Sequence, residues 1–174
     1  VFGEYRAPTG VGGAAVSDAG TLAEVGSRMR AAAAELGGPA RLLVGKPGLD
    51  GHSNGAEQIA LAARDAGFAV AGFLDARAPL PDVLGLPVLG TEAAHDGAPL
   101  LIAIGANAVR LAAAERLGAP LPVLRHPSAV LARSARLAEG AVVMPRAALG
   151  AAVEVGRLAL VNTGAILEHE VVLE

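Results

Sequence analysis

AVLARSARLAEGAVVMPRAALGAAVEVGRLALVNTGAILEHEVVL, residues 129–173, is the stretch that decides the fold. Leu131, Leu137, Val143, Leu149, Val155, Val161, Leu167 and Leu173 stand at strict six-residue intervals. Two residues before each comes a small or aliphatic partner: Ala129, Ala135, Ala141, Ala147, Val153, Ala159, Ala165 and Val171. A helix repeats every ~3.6 residues and a strand every ~2, and neither yields six. A triangular coil does, because each flat side of about six residues sends an aliphatic side chain inward near its own corner. The competing reading is an Ala-rich helix, and an unbroken register over the whole stretch counts against it. Residues 127–174 therefore read as a short left-handed parallel β-helix of roughly two and a half coils. Gly140, Gly150, Gly156 and Gly164 are expected at its tight corners.

Upstream the pattern is different. Arg41–Val44 is a short aliphatic strand, residues 45–55 a glycine-rich loop, Ala56–Ala66 an Ala-rich helix closed by Gly67, and Phe68–Leu74 a second strand. Leu100–Ile104, Ala106–Leu117 and Leu121–Leu124 continue as strand, helix and strand. That alternation predicts an α/β fold with a small Rossmann-like parallel sheet over residues 41–126. Residues 1–40 read as an N-terminal arm and a helix, with Thr21 and Glu24 forming a capping box and Gly37-Gly38-Pro39 ending it.

Composition narrows the function. Aromatic residues are 2% of the chain, too few to stack the bases of a single strand. Net charge is −3 with no basic cluster, so no partner is expected among nucleic acids or anionic membranes. No apolar run is long enough for a membrane span, and no secretory signal opens the sequence. The absence of cysteine excludes disulfides, thiolate metal sites and a cysteine nucleophile, and agrees with a cytoplasmic protein.

The loop Gly45-Lys46-Pro47-Gly48-Leu49-Asp50-Gly51-His52-Ser53-Asn54-Gly55 lies between a strand and a helix, where α/β sheets present backbone to ligands. It is neither a Walker loop nor a dinucleotide fingerprint. Asp50 stands two residues from His52, so its carboxylate can hold one imidazole nitrogen and raise the basicity of the other. Equally, the polar residues of a solvated loop can simply cap the next helix. Asp50-x-His52-x-x-Gly55, with Lys46 before it, resembles the cobalamin-binding motif of acyl-CoA mutases. Residues 1–68, notably Val1–Arg6, Pro8–Val11 and Val44–Asp65, resemble the ethylmalonyl-CoA mutase branch. That resemblance implies cobalamin as cofactor, with His52 as the cobalt ligand, Asp50 orienting it, Lys46 extending the network and Gly55 closing the motif. The serine-containing strand end and the Gly-Gly turn that hold the nucleotide tail in that family do not follow Phe68.

From Phe68 onward the chain resembles another family, the sialic-acid and bacillosamine-type sugar O- and N-acyltransferases. The resemblance is carried by Gly72–Asp75, Leu86–Gly90, Ala103–Asn107, Arg110, His126–Ala129 and Asn162–Ala165, followed by Glu168-His169-Glu170. It implies acetyl-CoA as co-substrate, a nucleotide-sugar acceptor and a homotrimer whose β-helices bind acetyl-CoA between subunits. It makes His169 the general base and Glu170 its orienting carboxylate, places Asn162 and Gly164 at the acetyl-CoA, and Gly51, Asp75 and Asn107 at the nucleotide sugar. A neutral imidazole beside a carboxylate suits that role. His126 reads as structural, at the hinge between the domains, and His95 as a surface residue beside Asp96-Gly97.

The two resemblances meet near Asp65–Phe68, so the chain reads as a chimera. The expected activity is acyl transfer to a sugar amine or hydroxyl. The alternatives are a cobalamin-binding fragment of a mutase and a non-catalytic trimeric β-helix protein.

Overall fold

Arg41–Gly45 (β1) has four aliphatic or small residues after its arginine and is buried from Leu42 onward. In the computed structural model, which describes residues 41–45, 54–75 and 81–174 together with the helical positions Ser27, Ala31, Ala34 and Glu35, β1 is the centre of a parallel sheet. Its neighbours are Ala69–Leu74 (β2) and Leu100–Ile102 (β5), giving the order β2-β1-β5. The arm expected over residues 1–20, Thr21 and Glu24 lie outside the described residues.

Strand alternation, with a register shift in β2 between Val70 and Gly72, sends Leu42, Val44, Val70, Phe73 and Leu101 to one face of this sheet and Leu43, Leu74, Leu100 and Ile102 to the other. Asn54–Asp65 (α1) covers the first face with Ala56, Ile59, Ala60 and Ala63, which helical spacing places on one stripe. Asn107–Leu117 (α2) covers the second with Ala113 and Ala114 and ends at Gly118, whose φ of 57° closes the helix. Between β2 and β5 the strands Asp82–Val83 (β3) and Leu86–Pro87 (β4) form a small hairpin through Leu84-Gly85, both at positive φ. It leans on β2 at Gly72, where a Cβ would come 2.6 Å from the Pro87 carbonyl.

The rest of the described chain is nine two-residue strands, from Leu124–Arg125 (β6) to Val172–Leu173 (β14), in three parallel sheets of three. The orders are β12-β9-β6, β13-β10-β7 and β14-β11-β8. Here β7 to β13 are Val130–Leu131, Arg136–Leu137, Val142–Val143, Ala148–Leu149, Glu154–Val155, Leu160–Val161 and Ile166–Leu167. Partners stand eighteen residues apart, as Leu124 with Val142 and Val142 with Leu160. Every residue of the six-residue pattern, from Ala129 to Leu173, belongs to one apolar cluster inside the coil.

Three sequence expectations change. Leu121–Leu124, read as a strand of the α/β sheet, instead delivers β6 to the β-helix, where it pairs with β9. The coil therefore begins before His126, because the 18-residue register reaches back to Leu124. Gly140 and Gly164 do turn corners at φ 69°, but Gly150 and Gly156 do not have positive φ. They are small because a Cβ would meet the next coil at 2.8 Å, at the His169 nitrogen and the Leu173 carbonyl respectively. The other left-handed corners are Arg146, Ala152, Leu158 and Glu170, so the turn is imposed by the coil and not by glycine. At the first two corners Ser128 and Ser134 use their Oγ atoms to accept the N–H of Arg146 and Ala152, eighteen residues on.

His126, expected at a hinge, is 2% exposed at the seam. The Ser128 N–H donates to its Nδ1 at 3.0 Å, so Nε2 carries the proton and donates to Asp65 Oδ2 at 3.2 Å. His95 is half-buried and its Nε2 pins the Ala98 carbonyl at 2.8 Å.

Candidate functional site

Parallel α/β sheets expose backbone at the carboxyl ends of their strands. Here that edge faces the β9–β12 side of the β-helix, and between them lies a cleft of about 320 Å³. Gly55 and Gln58 from the start of α1, Ile104 and Gly105 after β5, and Asn107 and Arg110 from α2 line one wall. Val142, Met144, Leu160 and Asn162 line the other, and Gly140 and Leu158 stand at the corner that joins them.

The polar groups of the cleft have fixed directions. Asn107 Oδ1 accepts from Arg110 Nη2 at 2.8 Å, which leaves the Asn107 NH₂ as a donor. Asn162 Oδ1 accepts the Thr163 N–H at 2.9 Å, which likewise leaves its NH₂ as a donor. Arg110 also donates to the carbonyls of Leu158, Ile104 and Gly105. No ion pair involves Arg110 among the described residues. Burial draws its pKa below the ordinary arginine value, yet the group remains a cation. The cleft thus offers N–H donors, one cation in Arg110 and one carboxylate in Glu174, above an apolar floor of Ile59, Ile102, Val142 and Met144. Such a surface suits a polar ligand that carries acceptors for Arg110 and the two asparagines and an apolar or ring portion.

The structure brings together Gly55, Asn107 and Asn162, three of the residues singled out in sequence. Gly164 is at the next corner, where a Cβ would meet nothing within 4 Å. Asp75 follows β2 at the same sheet edge. Lys46, Asp50, Gly51 and His52 lie outside the described residues. His169 and Glu170 are on an exposed corner between β13 and β14 and do not line the cleft. Their Nδ1–Oε2 separation is 3.4 Å with side chains 74% and 78% exposed, a loose pair. Sequence reasoning did not assign Gln58, Gly140, Met144 or Leu158 to a site. An 18-residue register would have placed Gly140 with Leu158 and Met144 with Asn162.

No family model matches the chain. Over 74% of its length it superposes on a histidine variant of GDP-perosamine N-acetyltransferase from Caulobacter crescentus, with TM-score 0.64 and 35% identity. That structure holds CoA and GDP-perosamine. The acetyltransferase domain of PglB from Neisseria gonorrhoeae, in complex with acetyl coenzyme A, matches 78% of the chain with TM-score 0.63 and 31% identity. The chain belongs to the family of these acetyltransferases. It spans 62% of the perosamine enzyme and 67% of the PglB domain. A second likeness is superimposed on the first: 76 residues are 59% identical to ethylmalonyl-CoA mutase from Methylorubrum extorquens, a tenth of that protein's length. Two families therefore meet in one chain, and the acetyltransferase family accounts for the β-helix.

Among the described residues no group of three or more His, Asp or Glu side chains is placed to hold a metal ion. Among them, too, no helix is long and apolar enough to cross a membrane.

Proposed function

We propose that the chain is an acetyl-CoA-dependent acyltransferase that modifies an amine or hydroxyl of a nucleotide sugar. The observation that carries this reading is the donor-rich cleft between the α/β lobe and the β-helix wall. It is supported by kinship with acetyltransferases at 31–36% identity. In this reading the lobe over residues 41–126 is Rossmann-like, the coil over 127–174 is left-handed, and the protein works in the cytoplasm.

The acceptor occupies the cleft, its phosphates facing Asn107 and Arg110, with Asp75 at the sheet edge and Gly51 as a further residue assigned to the sugar. Asn162 and Gly164 face acetyl-CoA. The acceptor nitrogen or oxygen attacks the thioester carbonyl carbon, and His169, oriented by Glu170, takes the proton released. Collapse of the tetrahedral adduct breaks the C–S bond, and the departing CoA thiolate accepts a proton. No covalent enzyme intermediate is required.

His169 does not line its own chain's cleft, so in this reading it serves the cleft of a neighbouring copy in a homotrimer. The outer face of β7, β10 and β13 supports such packing: Val130 and Ile166 are 70% and 69% exposed there. Thiol release from acetyl-CoA, in the presence of a nucleotide-activated amino sugar, tests the reading. The cysteine-free chain contributes no background to that assay. His169→Ala is expected to lower the rate by about 10²-fold or more. If the parent protein releases no thiol yet light scattering finds a trimer, the non-catalytic assembly reading takes its place.

Cobalamin binding is the second reading, favoured by the mutase identity. The described part of its motif fits poorly. Gly55 opens α1 directly against the cleft, and the β-helix residues Val142, Met144 and Leu160 stand opposite, where a broad macrocycle would have to lie. We assign no step to cobalamin.

A further inference from the structure

The walls of the cleft belong to two different bodies. Apolar packing joins them: Leu158 of the β-helix sits in the α/β core with Leu43, Ile102, Ile104 and Leu121. Val142 and Met144 pack on the α1 side. Such contact is non-directional and by itself leaves the walls free to slide.

Two polar contacts supply direction: the His126–Asp65 bond on the α1 side and, at the cleft itself, Arg110. Its Nε–H donates to the Leu158 carbonyl at 2.9 Å, across the seam. Its Nη1 donates to the Ile104 and Gly105 carbonyls at 2.6 and 3.1 Å, and its Nη2 to Asn107 Oδ1 at 2.8 Å. One planar group thus ties the β5–α2 loop to the corner of the β-helix. Its position is otherwise unfavourable, since a cation in the first turn of α2 faces the positive end of the helix dipole.

Leu158 is shaped for the same contact. It holds φ 61°, where a large side chain is strained, and this backbone offers its carbonyl to Arg110 while its side chain enters the α/β core. Gly140, one coil earlier, makes room: a Cβ there would come 2.8 Å from Leu158 Cδ2.

We propose that Arg110 and Leu158 form a latch that sets the width of the cleft, with Arg110 as a positioning residue for the acceptor. The latch rests on this geometry, and only its consequence for acceptor binding rests on the acyltransferase reading. Lysine cannot replace the arginine, because one ammonium on a flexible stem cannot hold the loop and the corner together.

The absence of cysteine allows a single spin-label pair, at Glu115→Cys on α2 and Glu154→Cys on β11, both exposed positions. With labelled chain diluted in unlabelled chain, the parent should show one narrow intrachain distance. Arg110→Lys, Arg110→Gln and Leu158→Gly should each broaden it by about twofold, as expected of lobes released from a fixed contact. An unchanged distribution in Arg110→Gln overturns the latch; should that variant not fold, Arg110→Lys decides. Calorimetric titration with GDP reads the consequence: about tenfold weaker binding in Arg110→Lys, from the lost charge-assisted bonds. A parent that does not bind GDP counts against the acyltransferase reading while the distance measurement still decides the latch.

Discussion

The β-helix and the α/β lobe bury their apolar residues in different ways. The cluster inside the coil, from Ala129 to Leu173, contains only residues of the coil itself. Both clusters of the α/β lobe borrow from the coil: Leu124, Val142 and Met144 complete the α1 side, and Leu121 and Leu158 the α2 side. The coil is thus a self-contained core, whereas the lobe leans on the coil's outer surface. The difference shows why such a chain tolerates a mutase-like front segment. Any strand–helix unit with a small-residue helix face, such as that of Ala56, Ala60 and Ala63, can dock on the aliphatic side that the coil presents.

The largest effect should come from charge placed in each core. Val153→Asp, at a fully buried position in the middle of the coil, should cost about 4 kcal/mol or more and unfold both regions. Ala63→Asp, equally buried under α1, should unfold the lobe alone. Circular dichroism and limited proteolysis would read the two outcomes. A coil that melts along with the lobe in Ala63→Asp would break the asymmetry.

Glycine substitutions sharpen the comparison inside the coil. Gly150→Ala should cost about 2–3 kcal/mol, because its Cβ would press on the backbone of the next coil. Gly164→Ala should cost about 1 kcal/mol, for its positive φ alone, since the space around it is open. Denaturant midpoints of the two variants would give the order, and the reverse order would mean that corner strain governs the coil more than stacking.

The smallest effect lies on the lobe's surface. Arg116 bonds Glu92 through Nε and Nη2 and holds its carboxyl below the usual range, although partial burial pushes the other way. A depressed folded-state pKa stabilises above the unfolded value of about 4.3 and loses that contribution as pH falls through the folded value. The pair is largely exposed, so the gain is small. Glu92→Gln should therefore lower the melting temperature slightly at pH 7 and leave it unchanged near pH 3. An equal loss at both pH values would show that the pairing charge is not what matters.

How much is legible in the sequence follows the same division. The inward residues of the coil can be read from the period because each repeats its environment every six positions. In the lobe, the alternation of strand and helix announces β1, α1, β2, β5 and α2, but not where Leu121–Leu124 goes. Gly55, Asn107 and Asn162 each belong to a motif visible in the sequence, and they do meet at one cleft. Met144 and Leu158 carry no polar signal, and Arg110 is visible only as part of a family pattern.

The sequence by itself determined a coil with its own core and an α/β unit ahead of it, because both follow from local periodicity. Tertiary structure alone decided that β6 belongs to the coil, that Gly150 and Gly156 serve stacking and not turning, and that Arg110 reaches Leu158 across the seam. These are contacts between residues seventeen or more positions apart. Their geometry is set by how coils stack and lobes dock, and no short window of sequence contains it.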